Sequence, residues 1–251
     1  MTTNFKGSPS ILLMFSGGVD STAGLVHLLT ETSKDIHVHH IVIKEVLAKQ
    51  ADKYFDVSST PSIGHGESWK GGLDAVTKII PYCRKNYRNF KFTSNLMDFT
   101  DVQSKFMSNF PPRGWMINYI INQNLSIDTV IWSVNSSDEI GKPWTLFGES
   151  GTEKNYDERR LYIEKVALFD VKRDIKMSKL FGPNDMNLNR QTMVKRYIPF
   201  ELFKITWSCN FPPPPRPWPI ECGKCNSCKE KIEVGLKVYG ESKMKKLLIM
   251  S

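Results

Sequence analysis

Long apolar runs are missing from this 251-residue chain. The longest, Ile11–Phe15, has the length of a buried strand and falls far short of the roughly 20 residues that cross a bilayer. Met1–Ser10 lacks the basic-then-apolar order of a secretory leader, so the expected location is cytoplasmic, with no membrane partner. No internal repeat recurs, which excludes solenoid architectures. Acidic residues are outnumbered, 26 against 34 basic ones, for a formal net charge of +8. That balance suits an acidic ligand such as ATP, a phosphate backbone or an acidic partner. The basic residues are scattered, however, with only modest clusters at Lys172–Arg173 and Lys243–Lys246, so direct nucleic-acid binding is not expected. Cysteine is scarce too, at five residues, and a chain this long can bury a core without disulfide staples.

What is present begins with a buried-strand pattern. Ser10-Ile11-Leu12-Leu13-Met14-Phe15 reads as a strand covered on both faces of a parallel sheet. Thr22–Leu29 then reads as a helix with Ala23, Val26 and Leu29 inward, and Ile36–Ile43 as a second strand. This β-loop-α-β opening predicts an α/β fold with a Rossmann-like, doubly wound, mainly parallel sheet. Further strands are expected over Phe90–Thr93 and Thr129–Val134. Helices are expected over Val46–Asp52, Leu73–Tyr87 (kinked or ended by Pro81), Trp115–Asn122, Arg159–Leu168 and Asp174–Leu180. Ser58–Gly72 and residues 139–157 read as loops, Phe181–Arg196 has no assignable pattern, and Pro212–Pro215 must be extended. His37, His39 and His40 read as a strand end with exposed imidazoles in preference to a metal site. Cys83 reads as a core cysteine, and Trp207 and Trp218 as packing residues.

Between the opening strand and its helix lies Ser16-Gly17-Gly18-Val19-Asp20-Ser21, followed by Thr22. Adjacent glycines let backbone approach a phosphate without side-chain clash. Amides at the helix start then face the anion, with the helix dipole behind them. Ser16, Ser21 and Thr22 offer hydroxyl donors, and Asp20 either binds Mg²⁺ or orders the loop. A Walker lysine is absent, and so is the dinucleotide fingerprint.

Four of the five cysteines crowd near the end: Cys209, Cys222, Cys225 and Cys228, spaced C-x12-C-x2-C-x2-C. Four thiolates in tight turns suit one tetrahedral Zn²⁺ with no open position, hence a structural site that contributes folding free energy. An iron–sulfur cluster is the main rival, and uncoordinated cysteines the plain alternative. The chain is accordingly expected to divide into a nucleotide-binding α/β domain at residues 1–200 and a zinc-binding segment at 201–251 packed on it.

The hexapeptide resembles the pyrophosphate loop of the N-type ATP pyrophosphatases, which include GMP synthetase, NAD synthetase, tRNA thiolases and 7-cyano-7-deazaguanine synthases. In that family the loop grips the β- and γ-phosphates and leaves the α-phosphorus open to attack. Thr206-Trp207-Ser208-Cys209 and Cys222-Gly223-Lys224-Cys225-Asn226-Ser227-Cys228 resemble the C-terminal signature of the 7-cyano-7-deazaguanine synthases. Pro111-Pro112-Arg113-Gly114 takes the place of their Pro-x-Arg-Asn motif. Asn135-Ser136-Ser137-Asp138 resembles their Val-Asn-x-x-Asp strand end, and Lys172-Arg173-Asp174-Ile175 their Lys-x-Glu-Ile helix start. Two motifs depart: Ile43-Lys44-Glu45-Val46 stands where the family has Asp-Tyr-Gly-Gln, and the Tyr-Pro-Asp-Cys-Arg loop is replaced around Lys142-Pro143-Trp144.

The resemblance implies an ATP-dependent C–N ligase that uses Mg²⁺ and carries Zn²⁺. It would adenylate 7-carboxy-7-deazaguanine and, with ammonia, form the amide and then the nitrile. The loop residues Ser16 to Thr22 would hold pyrophosphate. Arg113 and Lys172 would steady phosphate or adenylate charge, and Asp138 would meet metal or the purine-like ring. A homodimer is a compatible assembly. The departed motifs leave open another carboxylate, a nucleic-acid or protein target, an amide-only product, or tRNA thiolation. The non-enzyme alternative is a zinc-ribbon nucleic-acid-binding module, which the lack of basic and aromatic residues on the cysteine segment argues against.

Overall fold

The computed structural model describes residues 7–44, 68–98, 110–135, 163–181, 186–209 and 221–249. Its centre is a five-stranded sheet of β1 (Ile11–Met14), β2 (Ile36–Lys44), β3 (Lys91–Asp98), β4 (Thr129–Asn135) and β5 (Lys176–Phe181), in the order β3-β2-β1-β4-β5. Every pairing is parallel. The expected doubly wound sheet is therefore what the chain forms. Leu12 and Leu13 show why the opening run is apolar throughout. Successive strand residues point to opposite faces, and both leucines are fully buried.

Helices cover both faces. α1 (Val19–Glu31), α2 (Ser68–Asn86) and α4 (Arg190–Tyr197) bring Val26, Ile79 and Val194 into one core with Leu13, Val38 and Ile131. On the other face, α3 (Phe110–Gln123) and the helical residues 163–167 pack Ile117, Ile121 and Ile163 against Leu12 and Val130. Each such side chain contributes roughly 1.5–3 kcal/mol by leaving water. The C-terminal helices are α5 (Phe200–Phe203), α6 (Asn226–Tyr239) and α7 (Glu241–Ile249). They join the first core through Leu202, Phe203 and Met244.

Two arginines close helix ends. Arg88 donates to the carbonyls of Leu28, Leu29, Thr32 and Lys34 at the end of α1. Arg173 donates to those of Ile121, Asn124, Leu125 and Ile127 at the end of α3. Each cation meets carbonyls that a helix end leaves without intrahelical partners.

Several local expectations change. Residues 68–72, read as loop, form the first turn of α2, and exposed Pro81 lies inside that helix without ending it. α3 starts at Phe110, with Pro111 and Pro112 in its first turn, where a missing N–H costs nothing. Asp174–Leu180 is not helical, because residues from Lys176 onward pair with β4 as β5. Val46–Asp52, residues 139–157 and Pro212–Pro215 lie outside the described residues. Among the described residues no helix is long and apolar enough to cross a membrane.

The three strand histidines are buried, not exposed, at 2–4% relative exposure. β3 supplies the partners of His37 and His39. Thr93 Oγ1 lies 2.6 Å from His37 Nε2 and 2.7 Å from His39 Nδ1, and Asn95 Oδ1 lies 2.9 Å from His39 Nε2. His40 turns to the opposite face, where its Nδ1 donates to the Phe15 carbonyl at 2.7 Å. Burial holds all three well below the ordinary histidine range, His37 down to about 3 and His39 to about 4.

Candidate functional site: a glycine-pair loop joined to a four-cysteine centre

β1 is the strand at which the chain changes direction across the sheet, with β2 on one side and β4 on the other. Open α/β sheets bind ligands at the carboxyl ends of such strands. The loop leaving β1 occupies that place. Gly17 adopts φ +80, a left-handed conformation that costs an L side chain about 1–2 kcal/mol. Gly18 is the N-cap of α1 and makes no side-chain cap bond, so the positive end of the helix dipole at this loop is not met by a capping side chain. Ser16 and Ser21 brace the turn: their hydroxyls lie 2.9 Å apart, Ser16 Oγ accepts from the Gly18 amide, and Ser21 Oγ donates to the Gly18 carbonyl. Thr22 is fully buried, and its hydroxyl points into the protein.

The loop rests on α2. A Cβ on Gly17 would stand 3.0 Å from the Gly72 carbonyl and 3.0 Å from Val76 Cγ2. A side chain at Gly17 would thus be pressed against the backbone of α2, so the close approach requires glycine at this loop position.

Asp20 points away from solvent and into an ion-pair cluster. Its carboxylate accepts from Arg190 Nε at 3.1 Å and Nη2 at 2.8 Å, and Arg190 Nη1 also bonds Glu230 on α6. Both carboxylate oxygens of Asp20 are therefore engaged by one arginine. Neither Arg190 nor Glu230 stood out in the sequence. The hint was indirect: a carboxylate at the start of a helix within a closely packed loop calls for a cation.

The four late cysteines come together, their Sγ atoms all within 4.8 Å of one another. Cys222 and Cys228 sulfurs are 3.9 Å apart. A tetrahedral ion with bonds of about 2.3 Å sets its thiolates roughly 3.8 Å apart, so the group fits a single ion. A polynuclear cluster spreads its thiolates further, since irons and sulfides stand between them. Backbone amides already aim at sulfur: Cys222 N at Cys209 Sγ (3.2 Å), and Lys224 N and Cys225 N at Cys222 Sγ (3.4 and 3.3 Å). Gly223, at φ +67, makes this turn possible. Crowding opposes ionisation. Hydrogen bonding with Cys225 pushes the Cys209 thiol up to about 12, and Cys228 shifts the same way through Cys209 and Cys225. A bound cation is what lets such a group shed its protons.

A buried lysine paired with a half-buried glutamate assembles this centre. Lys231, 4% exposed, donates to the Thr206 carbonyl at 2.5 Å and to Glu221 Oε2 at 2.8 Å. Glu221 Oε1 in turn accepts from the Ser208 amide at 2.5 Å. The segment before Cys209 is thereby fixed beside the one before Cys222. Trp207 packs, as expected, and its amide donates to the Gly17 carbonyl at 2.9 Å.

The remaining candidates separate. Arg113, on the first turn of α3, stands at the same edge of the sheet as the loop but on the other face. Lys172 is not brought to the loop. It is exposed and precedes β5, whose start pairs with the start of β4 at the opposite edge. Its neighbour Arg173 is occupied in closing α3, so this stretch is no helix start. Asp138 lies outside the described residues.

No protein-family model matches this chain, and no curated protein matches it in sequence. In three dimensions it is similar to a hypothetical protein, PH0823, at 9% identity and a TM-score of 0.34, over 67% of this chain and 94% of that one. It is also similar to the U34-tRNA thiolase NcsA from Methanococcus maripaludis, solved with its 4Fe-4S cluster. That match has 13% identity and a TM-score of 0.40, over 96% of this chain and 70% of that chain.

Proposed function

We propose that this chain is an ATP pyrophosphatase that activates a substrate oxygen as its adenylate. The observation that carries the reading is the Gly17–Gly18 turn, which leads from the carboxyl end of β1 into the uncapped start of α1 at the sheet's switch point. With no lysine in the loop, the outer phosphates would be held by backbone amides and by the Ser16 and Ser21 hydroxyls. The α-phosphorus would then face the substrate. Mg²⁺ would arrive with the nucleotide, and Asp20 keeps its tie to Arg190. The protein's contribution is positioning and charge neutralisation.

The substrate proposed is 7-carboxy-7-deazaguanine, on the strength of the cysteine signature. Its carboxylate oxygen would attack the α-phosphorus, and the bond to the bridging oxygen would break to release pyrophosphate. Ammonia then adds at the acyl carbon, AMP leaves, and one proton passes to solvent. A second adenylation, on the amide oxygen, followed by loss of AMP and the nitrogen protons gives the nitrile. Zn²⁺ on Cys209, Cys222, Cys225 and Cys228 is proposed as structural, because four sulfurs complete its coordination.

Incubation with Mg-ATP, ammonium and the carboxylate, followed by mass spectrometry, tests this reading. AMP and pyrophosphate with amide or nitrile support it. Release of ADP or inorganic phosphate contradicts the loop chemistry. AMP formed only with tRNA and a sulfur donor would replace the ligase with a thiolase.

A further inference from the structure

We propose that Arg190 is a positioning residue that couples the cysteine centre to the phosphate loop, so that bound metal and bound nucleotide each tighten the other. The proposal rests on the phosphate-loop reading above. Two separate contacts run from the loop to the cysteine segment. On one side, the Gly17 carbonyl accepts from Trp207 N at 2.9 Å, and Trp207 Nε1 donates to the carbonyl of Cys209, a ligand candidate, at 2.8 Å. On the other, Asp20 holds the guanidinium of Arg190, which also bonds Glu230, two residues beyond Cys228 on α6.

Cys209 and Cys228 belong to the same four-sulfur group. One ion held by both would therefore close a ring. The ring runs from Gly17 through Trp207 to Cys209, across to Cys228, along α6 to Glu230, and through Arg190 back to Asp20. Inside it lie the amides proposed to meet phosphate. Shifting either cysteine-bearing segment moves one end of the loop relative to the other.

Arg190 differs from the ordinary surface pairs of this chain. Lys237–Glu233 joins one helix to itself with both side chains more than half exposed, and such pairs do little. Arg190 is 21% exposed, grips Asp20 through two nitrogens, and ties α1 and α6 to the start of α4. A forked, partly desolvated contact of this kind fixes geometry as well as charge. Lys231 holds α6 to the Thr206 carbonyl without any metal, so metal loss would loosen the ring while the fold stays assembled.

Coupling between two ligands is reciprocal, so it can be read from the metal side without any turnover. Zinc transfer from the zinc-loaded protein to a chromogenic chelator is measured with and without Mg²⁺ and α,β-methylene-ATP, whose binding is followed by calorimetry. In the unaltered protein the analogue should tighten zinc about tenfold. In Arg190→Gln the factor should fall towards one while circular dichroism still reports a folded chain. Arg190→Lys, which restores charge without the fork, should recover part of it. Should Arg190→Gln not fold, Glu230→Gln leaves Asp20–Arg190 in place and carries the same expectation. Equal zinc affinity with and without saturating analogue would overturn the coupling alone, and so would undiminished coupling in the folded variants. An analogue that binds nowhere would overturn the phosphate-loop reading with it.

Discussion

Gly71 lies against the indole of Trp207 with so little clearance that a methyl group in its place would overlap the six-membered ring. The residue that holds Gly17 by its backbone is thus itself held by α2. Gly71→Ala should force Trp207 aside and cost about 1–3 kcal/mol, as overpacking does. Urea unfolding measures this. Gly72→Ala is the control, since a Cβ there would meet only the Ser16 carbonyl at an ordinary 3.5 Å. It should be neutral or gain a little from helix propensity. Equal stability of the two variants would refute the packing account.

Gly17→Ala should weaken nucleotide binding more than it harms the fold. The left-handed backbone and the 3.0 Å approaches to Gly72 and Val76 both resist a side chain. Strain of about 1.4 kcal/mol paid on binding is a tenfold loss of affinity. Calorimetry with α,β-methylene-ATP reads it, and an unchanged affinity would place the phosphates elsewhere.

Lys231→Met should leave Glu221 and the Thr206 carbonyl without their buried donor and cost about 1–3 kcal/mol. The cysteine centre should then surrender zinc at lower chelator concentration. Because the two side chains act together, Glu221→Gln combined with Lys231→Met should cost less than the sum of the single changes. Strict additivity would show that they do not.

Acid should destabilise the protein through His37 and His39. Unfolded, each titrates near 6.5; folded, burial holds them near 3 and 4. The unfolded chain therefore binds more protons between those limits, and stability falls as pH drops below about 6.5. Each histidine adds a slope of up to about 1.4 kcal/mol per pH unit, His39 until about pH 4 and His37 until about pH 3. Above pH 7 neither contributes. His39→Gln should flatten the acid limb of a stability–pH curve, and an unaltered slope would exclude this residue as its source.

The features legible in the sequence were those written locally. The buried run of β1, the paired glycines after it and the cysteine spacing each carry their cause within a few neighbouring residues. What escaped depends on partners far along the chain. Arg190 meets Asp20 across 170 positions, and nothing around either residue announces it. Gly71 and Gly72 read as loop because their stretch is rich in serine, glycine and proline, yet they are helical, and Gly71 leaves the space that the distant Trp207 takes. The strand histidines read as exposed until Thr93 and Asn95 on β3 meet His37 and His39, and the Phe15 carbonyl meets His40. Lys176–Phe181 is too short for its period to distinguish strand from helix, and pairing with β4 decides it.

Cys83 sits fully buried within α2, and burial pushes its thiol up to about 12. In the native state it should be silent to iodoacetamide, since the nucleophile is the thiolate and the sulfur has no path to the reagent. Every alkylated cysteine counted by intact mass after chelation would then originate from the C-terminal quartet. The molecule carries an internal blank, and a fifth label would mark the moment the sheet itself has opened.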